Sequence, residues 1–173
     1  MSTEPHLPPV RTRVINWQDP SLGVQIAQTT SGLEYLQGIA SGQYPAPPIT
    51  DLMNIELMTV DKGQVIFGVE PAEFHYNPMG AVHGGLAATL VDSAMTCAIL
   101  STAPRGIYYT TIELHINYIR PITLDTGYLK SIGQTIHVGR RVATAEARVI
   151  DKDNKLYAHA TTTCMAIHIK EDT

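Results

Sequence analysis

The stretch "GGLAATLVDSAMTCAIL", Gly84–Leu100, limits the fold more than any other part of the chain. It reads as a helix running from Gly84 to about Ser101 and stopping near Pro104-Arg105-Gly106. It is apolar on nearly every side, and such a helix has to be wrapped by other elements rather than laid on a surface. What flanks it is strand-like. "MNIELMTV" and "QVIFGVE" lie before it, separated by Asp61-Lys62-Gly63, an Asp-x-Gly turn that predicts a hairpin. After it come "YTTIELHINYI", "GYLKSIGQTIHV", "RRVATAEARVID" and "KLYAHATTTCMAIHI", joined by good turns at Gly139-Arg140 and at Asp151-Lys152-Asp153-Asn154. The order β-β-α-β-β-β-β groups strands on either side of one helix, which argues an α+β fold with an antiparallel sheet curled around that helix.

The first 50 residues differ in character. Residues 1–20 hold several prolines and one tryptophan and read as an irregular arm. In residues 22–41, Leu33, Leu36, Ile39 and Ala40 recur at helical spacing. Ser31 followed by Glu34 predicts a capping box. "QYPAPPIT" then breaks any helix. The chain therefore divides into an N-terminal arm and helical extension over residues 1–50 and a sheet-and-helix domain over residues 51–170. The segment "EFHYNPMGAV" is a loop leading into the central helix. In the following strand, strict alternation puts Ile112, Leu114, Ile116 and Tyr118 on one face and Thr111, Glu113, His115 and Asn117 on the other.

Composition narrows the function. Only 16% of the 173 residues are charged, below the usual ~25%, so some surface is expected to be buried against another chain. The net charge of −4 argues against nucleic-acid binding, which needs a basic excess. Cys97 and Cys164 lie in apolar segments and read as reduced thiols packed like small hydrophobes. The seven histidines form no pair with acids at metal-ligand spacing, so no metal is expected. The N-terminus lacks the apolar run of a signal peptide. The Gly84–Leu100 run is short for a membrane span and is interrupted by Asp92 and hydroxyl residues. These features predict a cytoplasmic chain that neither crosses a membrane nor binds nucleic acid.

Asp92 is the anomaly, because a carboxylate is costly to bury in so apolar a segment. His83, nine residues earlier, is the obvious partner. Nine residues turn an α-helix by about 900°, half a turn out of phase, and advance it by about 13.5 Å. The two side chains then point to opposite sides and form no dyad within one chain. Either one of them is structural or the site is shared between two subunits. A two-fold dimer sets His83 of each chain opposite Asp92 of the other, twice over. At the helix start, Gly84 and Gly85 leave backbone N–H groups uncrowded at the positive end of the dipole, where an oxygen gaining negative charge can be held. Asn77 is placed to fix the loop or to polarise a second group.

The text "NPMGAVHGGLAATLVD" resembles the motif of hotdog-fold thioesterases of the PaaI type. In that motif an Asn is followed six residues later by His-Gly-Gly, with an acid nine residues beyond the His. Asn77, His83, Gly84 and Asp92 match it position by position. The likeness extends over residues 49–168, through "INYIRPI" and "GRRVATAEARVIDKDNKLYAHATTT". It implies a hotdog fold, a curved antiparallel sheet around one long central helix, here with an N-terminal helical extension. It implies hydrolysis of acyl-CoA thioesters without metal or organic cofactor, in a homodimer or dimer of dimers with sites at the subunit interface. The Gly84 N–H would polarise the thioester carbonyl, with His83 orienting the thioester and Asn77 supporting the loop. Asp92 of the facing subunit would activate water as general base or attack as nucleophile. Thr111 on the third strand would help position the water. Gly85 and Met95 would touch substrate, with Leu86 beside them in the pocket wall. Because CoA carries phosphates, Arg140 and Arg141 in the turn after Val138-Gly139, and Arg120 before Pro121, are the candidate cations at the entry.

Two other readings belong to the same fold. A non-catalytic acyl-CoA-binding module is one, and the intact Asn–His–Gly–Asp set disfavours it. A dehydratase is the other, and it would need a histidine and an acid arranged to remove a proton from carbon. His115, His159 and His168 read as exposed or satisfied strand residues, and Met53, Met58 and Met79 as core or lining.

Overall fold

The computed structural model describes residues 9–168. The expected arm over residues 1–20 and the expected end at residue 170 both run beyond that range. Residues 9–19 have no regular secondary structure. Three short helices follow, α1 (Ser21–Ala27), α2 (Gly32–Ala40) and α3 (Pro48–Met53). β1 (Ile55–Asp61) and β2 (Gln64–Val69) form the expected hairpin. The long helix α4 (Gly84–Leu100) comes next, then β3 (Ile107–Tyr118), β4 (Leu129–Val138), β5 (Val142–Asp151) and β6 (Leu156–His168). The six strands make one antiparallel sheet in the order β1-β2-β4-β5-β6-β3. α4 packs against every one of them.

Small side chains let the sheet close so tightly on the helix. "VATAEARV" points Ala143, Ala145 and Ala147 inward and its polar residues outward, and Ala158 and Ala160 of β6 continue the same floor. Gly133 of β4 marks the closest approach. A Cβ there would lie 2.2 Å from the carbonyl oxygen of Ala94, in the middle of α4. The larger core volume comes from α4 itself, through Leu86, Leu90, Val91, Met95 and Ile99, and from Val65, Phe67 and Val69 of β2.

The N-terminal extension is docked on this core. Ser31 and Glu34 form the expected capping box at the start of α2. The Gly32 N–H donates to the Ala103 carbonyl at 3.1 Å. A Cβ on Gly32 would lie 1.8 Å from the Leu100 carbonyl oxygen, so the first turn of α2 rests on the end of α4. Arg105 Nε donates to the Gln28 carbonyl at 2.7 Å. The "QYPAPPIT" segment does more than break a helix. Pro48 occupies the first turn of α3, where its missing N–H costs nothing. Asn54, at φ +52°, ends that helix, so the first strand begins at Ile55 rather than at Met53.

β3 departs from strict alternation. Thr111 pairs with Cys164 but Glu113 pairs with Thr163, which leaves Ile112 as the extra residue of a bulge. The bulge inverts the alternation beyond it. Thr111 therefore faces α4 together with Leu114, Ile116 and Tyr118, although a period of two sets it on the opposite face. Ile112 is 54% exposed. β3 also forms one edge of the sheet, and it carries exposed Tyr108, Ile112, Leu114 and Tyr118.

Candidate active site at the start and middle of the central helix

The start of α4 is built by a short loop. Asn77 Oδ1 accepts the Met79 N–H at 2.8 Å and the Ala81 N–H at 3.3 Å. The Asn77 N–H donates to the Ala81 carbonyl at 2.8 Å. Gly80, at φ +81°, makes the turn that a side chain would strain. The structure thus shows Asn77 bracing the loop. A bridge between Tyr76 and Val82 closes it, and the His83 N–H donates to the His75 carbonyl at 2.8 Å.

His83 is the N-cap of α4, and its Nδ1 accepts the Gly85 N–H at 2.8 Å. Two consequences follow. The Gly85 N–H is already committed to the ring, so the substrate contact expected of Gly85 does not come from that donor. A neutral His83 ring that accepts at Nδ1 carries its proton on Nε2, and the exposed side chain presents that N–H to solvent. The Gly84 N–H has no intramolecular acceptor among the described residues, as expected of a first-turn donor. Above it sits Tyr118, whose hydroxyl donates to the Gly84 carbonyl at 3.2 Å. A Cβ on Gly84 would approach the Tyr118 ring to 3.1 Å.

Asp92 lies two and a half turns farther along. It belongs to a half-buried stripe of small and polar residues, Gly85, Ala88, Thr89, Asp92, Ser93, Thr96, Cys97 and Leu100. α4 is thus apolar on the faces the sheet covers and open along one side, between the edge strands β1 and β3. That opening explains how the carboxylate is tolerated. Thr111 Oγ1 donates to Asp92 Oδ1 at 2.7 Å. Its single proton is used there, so the Thr96 hydroxyl, 3.0 Å away, is the donor to Thr111. The relay Thr96–Thr111–Asp92 fixes one carboxylate oxygen, and Oδ2 has no protein partner among the described residues. The bulge in β3 is what turns Thr111 toward this acid. Burial and the Asp92 charge together push the Cys97 thiol up to about 12.

The helix start opens on a cleft of about 470 Å³, lined by His83, Gly85 and Leu86 together with His75, Phe74 and Arg13. Nothing in the local sequence marks the last three as part of a site. His75 is buried. Its Nδ1 accepts the Ala72 N–H at 2.9 Å, which leaves Nε2 to donate to the Met53 carbonyl, also at 2.9 Å. Burial, with Arg13 nearby, lowers its pKa. Arg13 donates to the carbonyls of Leu52 (3.0 Å) and Asp51 (2.6 Å) and lies 4.0 Å over the Phe74 ring. These contacts tie the N-terminal arm to the loop that carries the site. They join segments more than 35 residues apart, and no local pattern in the sequence announces them.

The other candidates are spread more widely. Met95 is completely buried in the core and not on the open stripe. Arg140 and Arg141 are exposed in the β4–β5 turn. Ala143, Cys164 and Thr111 share one rung of the sheet, so this turn lies at the Asp92 end of the molecule. Arg120 is exposed and donates to the Leu156 carbonyl. Within one chain the structure brings Asp92 and Thr111 together, and separately His83, Gly84 and Gly85. It does not bring the two groups to each other. Among the described residues no cluster of three or more His, Cys, Asp or Glu side chains is placed to hold a metal ion. None of their helices is long and apolar enough to cross a membrane.

A family model described as the thioesterase superfamily matches residues 79–158. Human acyl-coenzyme A thioesterase 13 is 36% identical over 104 residues, which cover 60% of this chain and 71% of that protein. The structure of smu.793 from Streptococcus mutans, bound to acetyl CoA, is 28% identical with a TM-score of 0.61, and the match covers 68% of this chain and 92% of that one. E. coli PaaI is 20% identical with a TM-score of 0.69, covering 81% of this chain and all of that one, a likeness in fold. With the open helix start, the mid-helix carboxylate and the wrapped sheet in place, these similarities mean that the chain belongs to the thioesterase superfamily, with the hotdog fold it shares with E. coli PaaI.

Proposed function

We propose that this protein hydrolyses acyl-CoA thioesters to the free acid and CoA, in a homodimer whose two active sites are each shared between subunits. The observation that carries this reading is the split of the machinery along one helix. A free N–H donor at Gly84, the first residue of the helix, and a hydrogen-bonded carboxylate at Asp92 on the open stripe lie about 12 Å apart along its axis. That is too far for both to touch one carbonyl. An isologous pairing across the stripe brings Gly84 of each subunit opposite Asp92 of the other. The edge strand β3, with an unpaired row of backbone groups and exposed Ile112 and Leu114, supplies a surface for such a pairing. The acetyl CoA bound to the Streptococcus mutans relative and the name of the human relative support a CoA thioester as substrate.

In the reaction, the carbonyl oxygen rests on the Gly84 N–H at the positive end of α4. The His83 Nε2–H orients the thioester or the pantetheine beside it. Asp92 of the partner subunit takes a proton from water through its free Oδ2, while Thr111 holds Oδ1. The water oxygen bonds to the carbonyl carbon, the C–S bond breaks, and CoA leaves as thiolate to be protonated. Arg140, Arg141 and Arg120, all exposed, are the candidate cations for the CoA phosphates.

The test is thiol release from a panel of acyl-CoAs. Asp92→Asn keeps the Thr111 hydrogen bond and removes the base, so turnover is expected to fall by roughly 10²–10⁴ with acyl-CoA binding retained. Hydrolysis at the wild-type rate by Asp92→Ala would sink the assignment. An active monomer in light scattering would sink the shared site.

A further inference from the structure

A second cleft, of about 400 Å³, lies against the far half of α4. Its walls come from the N-terminal extension (Tyr35, Leu36, Ile39), from the β1–β2 hairpin (Leu57, Phe67) and from Cys97 of the central helix. The walls are mainly apolar. Two of its lining residues, Cys97 and Leu100, lie on the same half-buried stripe of α4 as Asp92. Asp92, Thr96, Cys97 and Leu100 are all half-buried along α4. Cys97 and Tyr35 face each other across the cleft as members of one lining, and Cys97 follows Asp92 by five residues, about 7.5 Å along the helix axis. α2 is held over this end of the helix by the Gly32–Leu100 contact and the Gly32–Ala103 hydrogen bond.

We infer that this cleft receives the acyl chain of the substrate, so that α2 of the N-terminal extension sets a preference for medium-length saturated acyl groups. The inference rests on the thioesterase reading above and adds the substrate class. The carbonyl carbon is held beside Asp92, and Leu100 lies eight residues on, about 12 Å along the axis. An extended chain of single bonds covers about 1.2 Å per bond, so roughly ten carbons reach the end of the cleft. Shorter chains leave apolar wall exposed to water. Longer ones meet Leu36 and Leu100, which are fixed by the core beneath them. Tyr35 and Ile39, half-buried on α2, are the specificity-determining side chains.

The experiment measures affinity, by calorimetry on the full-length Asp92→Asn protein, for acetyl-, butyryl-, hexanoyl-, octanoyl-, decanoyl- and palmitoyl-CoA. Wild-type kcat/KM is measured on the same panel. Affinity is expected to rise about fourfold per added methylene up to roughly ten carbons and then to level or fall. Ile39→Trp, which fills the cleft, is expected to lower the decanoyl-to-acetyl preference at least about tenfold. Ile39→Ala, a milder change at a half-buried position, is expected to move the optimum to a longer chain. Equal affinity across the series overturns the inference. So do Ile39 variants that weaken acetyl- and decanoyl-CoA alike, which would place the pantetheine arm in the cleft. Absence of hydrolysis by the wild type, with the chain-length series intact, would remove the catalytic reading and leave this pocket assignment standing.

Discussion

Mixing two inactive variants tests the division of the site between subunits most directly. The first variant is Asp92→Asn. The second is Gly84→Pro, which deletes one N–H and little else. His83 already has φ −62° and ψ 134°, the extended conformation that a following proline requires. The first helical position is also where proline is best tolerated. The deleted N–H makes no hydrogen bond within the described residues, so nothing there is lost from the fold. Of the three ring carbons that proline adds, the Cβ meets the rim of the exposed Tyr118 ring at 3.1 Å, and that ring can move. Gly84→Ala presents the same carbon and keeps the donor, which makes it the control. Gly84→Pro should lose roughly 10²–10³ in kcat, and Gly84→Ala far less.

The two parents therefore start at about 1% of wild-type activity or below. Equal amounts, unfolded together and refolded, pair at random, and about half of the dimers are mixed. Each mixed dimer joins Gly84 of one chain to Asp92 of the other in one intact site, while its second site carries both defects. Half of the dimers with half of their sites gives about a quarter of wild-type activity per subunit. The assay is CoA release followed with a thiol reagent, with dimer content checked by light scattering. A mixture no more active than the average of its parents would refute the shared site and put both groups to work within one chain.

Four further outcomes are expected. Thr111→Val removes the donor to Asp92 Oδ1 with little change of volume; kcat should fall, with CoA affinity kept, and unchanged kcat would remove Thr111 from the site. Gly133→Ala forces a carbon to within 2.2 Å of the Ala94 carbonyl oxygen, which belongs to helix backbone and cannot swing aside. A loss of about 3 kcal/mol, or roughly 6–12 °C in Tm by calorimetry, is expected, and an unshifted Tm would contradict the close packing. His75 is held neutral, its pKa lowered below 6.5 chiefly by burial. The stability it supplies is complete above 6.5, begins to fade as the pH drops below that value, and is gone once the pH has passed the lower folded value. Urea midpoints between pH 5 and pH 8 should accordingly fall more steeply for the wild type than for His75→Gln, and equal slopes would refute this. Cys97, raised from 9.0 to about 12, should react with iodoacetamide at pH 8 about 10³-fold more slowly in the native protein than in urea. Alkylation at the unfolded rate, located by mass spectrometry, would show the thiol to be ordinary.

Much of the architecture could be read from local pattern. The all-round apolarity of Gly84–Leu100 required a wrapping sheet, and the Ala-rich alternation of "VATAEARV" shows how that sheet comes close enough. Ser31 and Glu34 announced the start of α2, because a capping box is complete within four residues. The same logic failed where a single residue changed the period. The Ile112 bulge depends on how β3 pairs with β6, and nothing between Thr111 and Glu113 signals it. α3 was missed because its prolines read as breakers, although the first turn of a helix tolerates them.

The helical period determined by itself that His83 and Asp92 face different ways, because rise and rotation per residue are properties of the backbone alone. The motif from Asn77 to Asp92 and the turn residues around it likewise carry the family in their spacing. Only the tertiary structure decided which donors remain free. The Gly85 N–H is spent on His83, and the Gly84 N–H is not. It also decided that Met95 lies inside the core, that Thr111 reaches Asp92, and that α2 roofs a cleft beside Cys97. The His83–Gly85 bond is a local cap set by the histidine's rotamer; the other three depend on contacts between segments distant in sequence, where burial and hydrogen bonding are set by how whole elements pack, which no local period encodes.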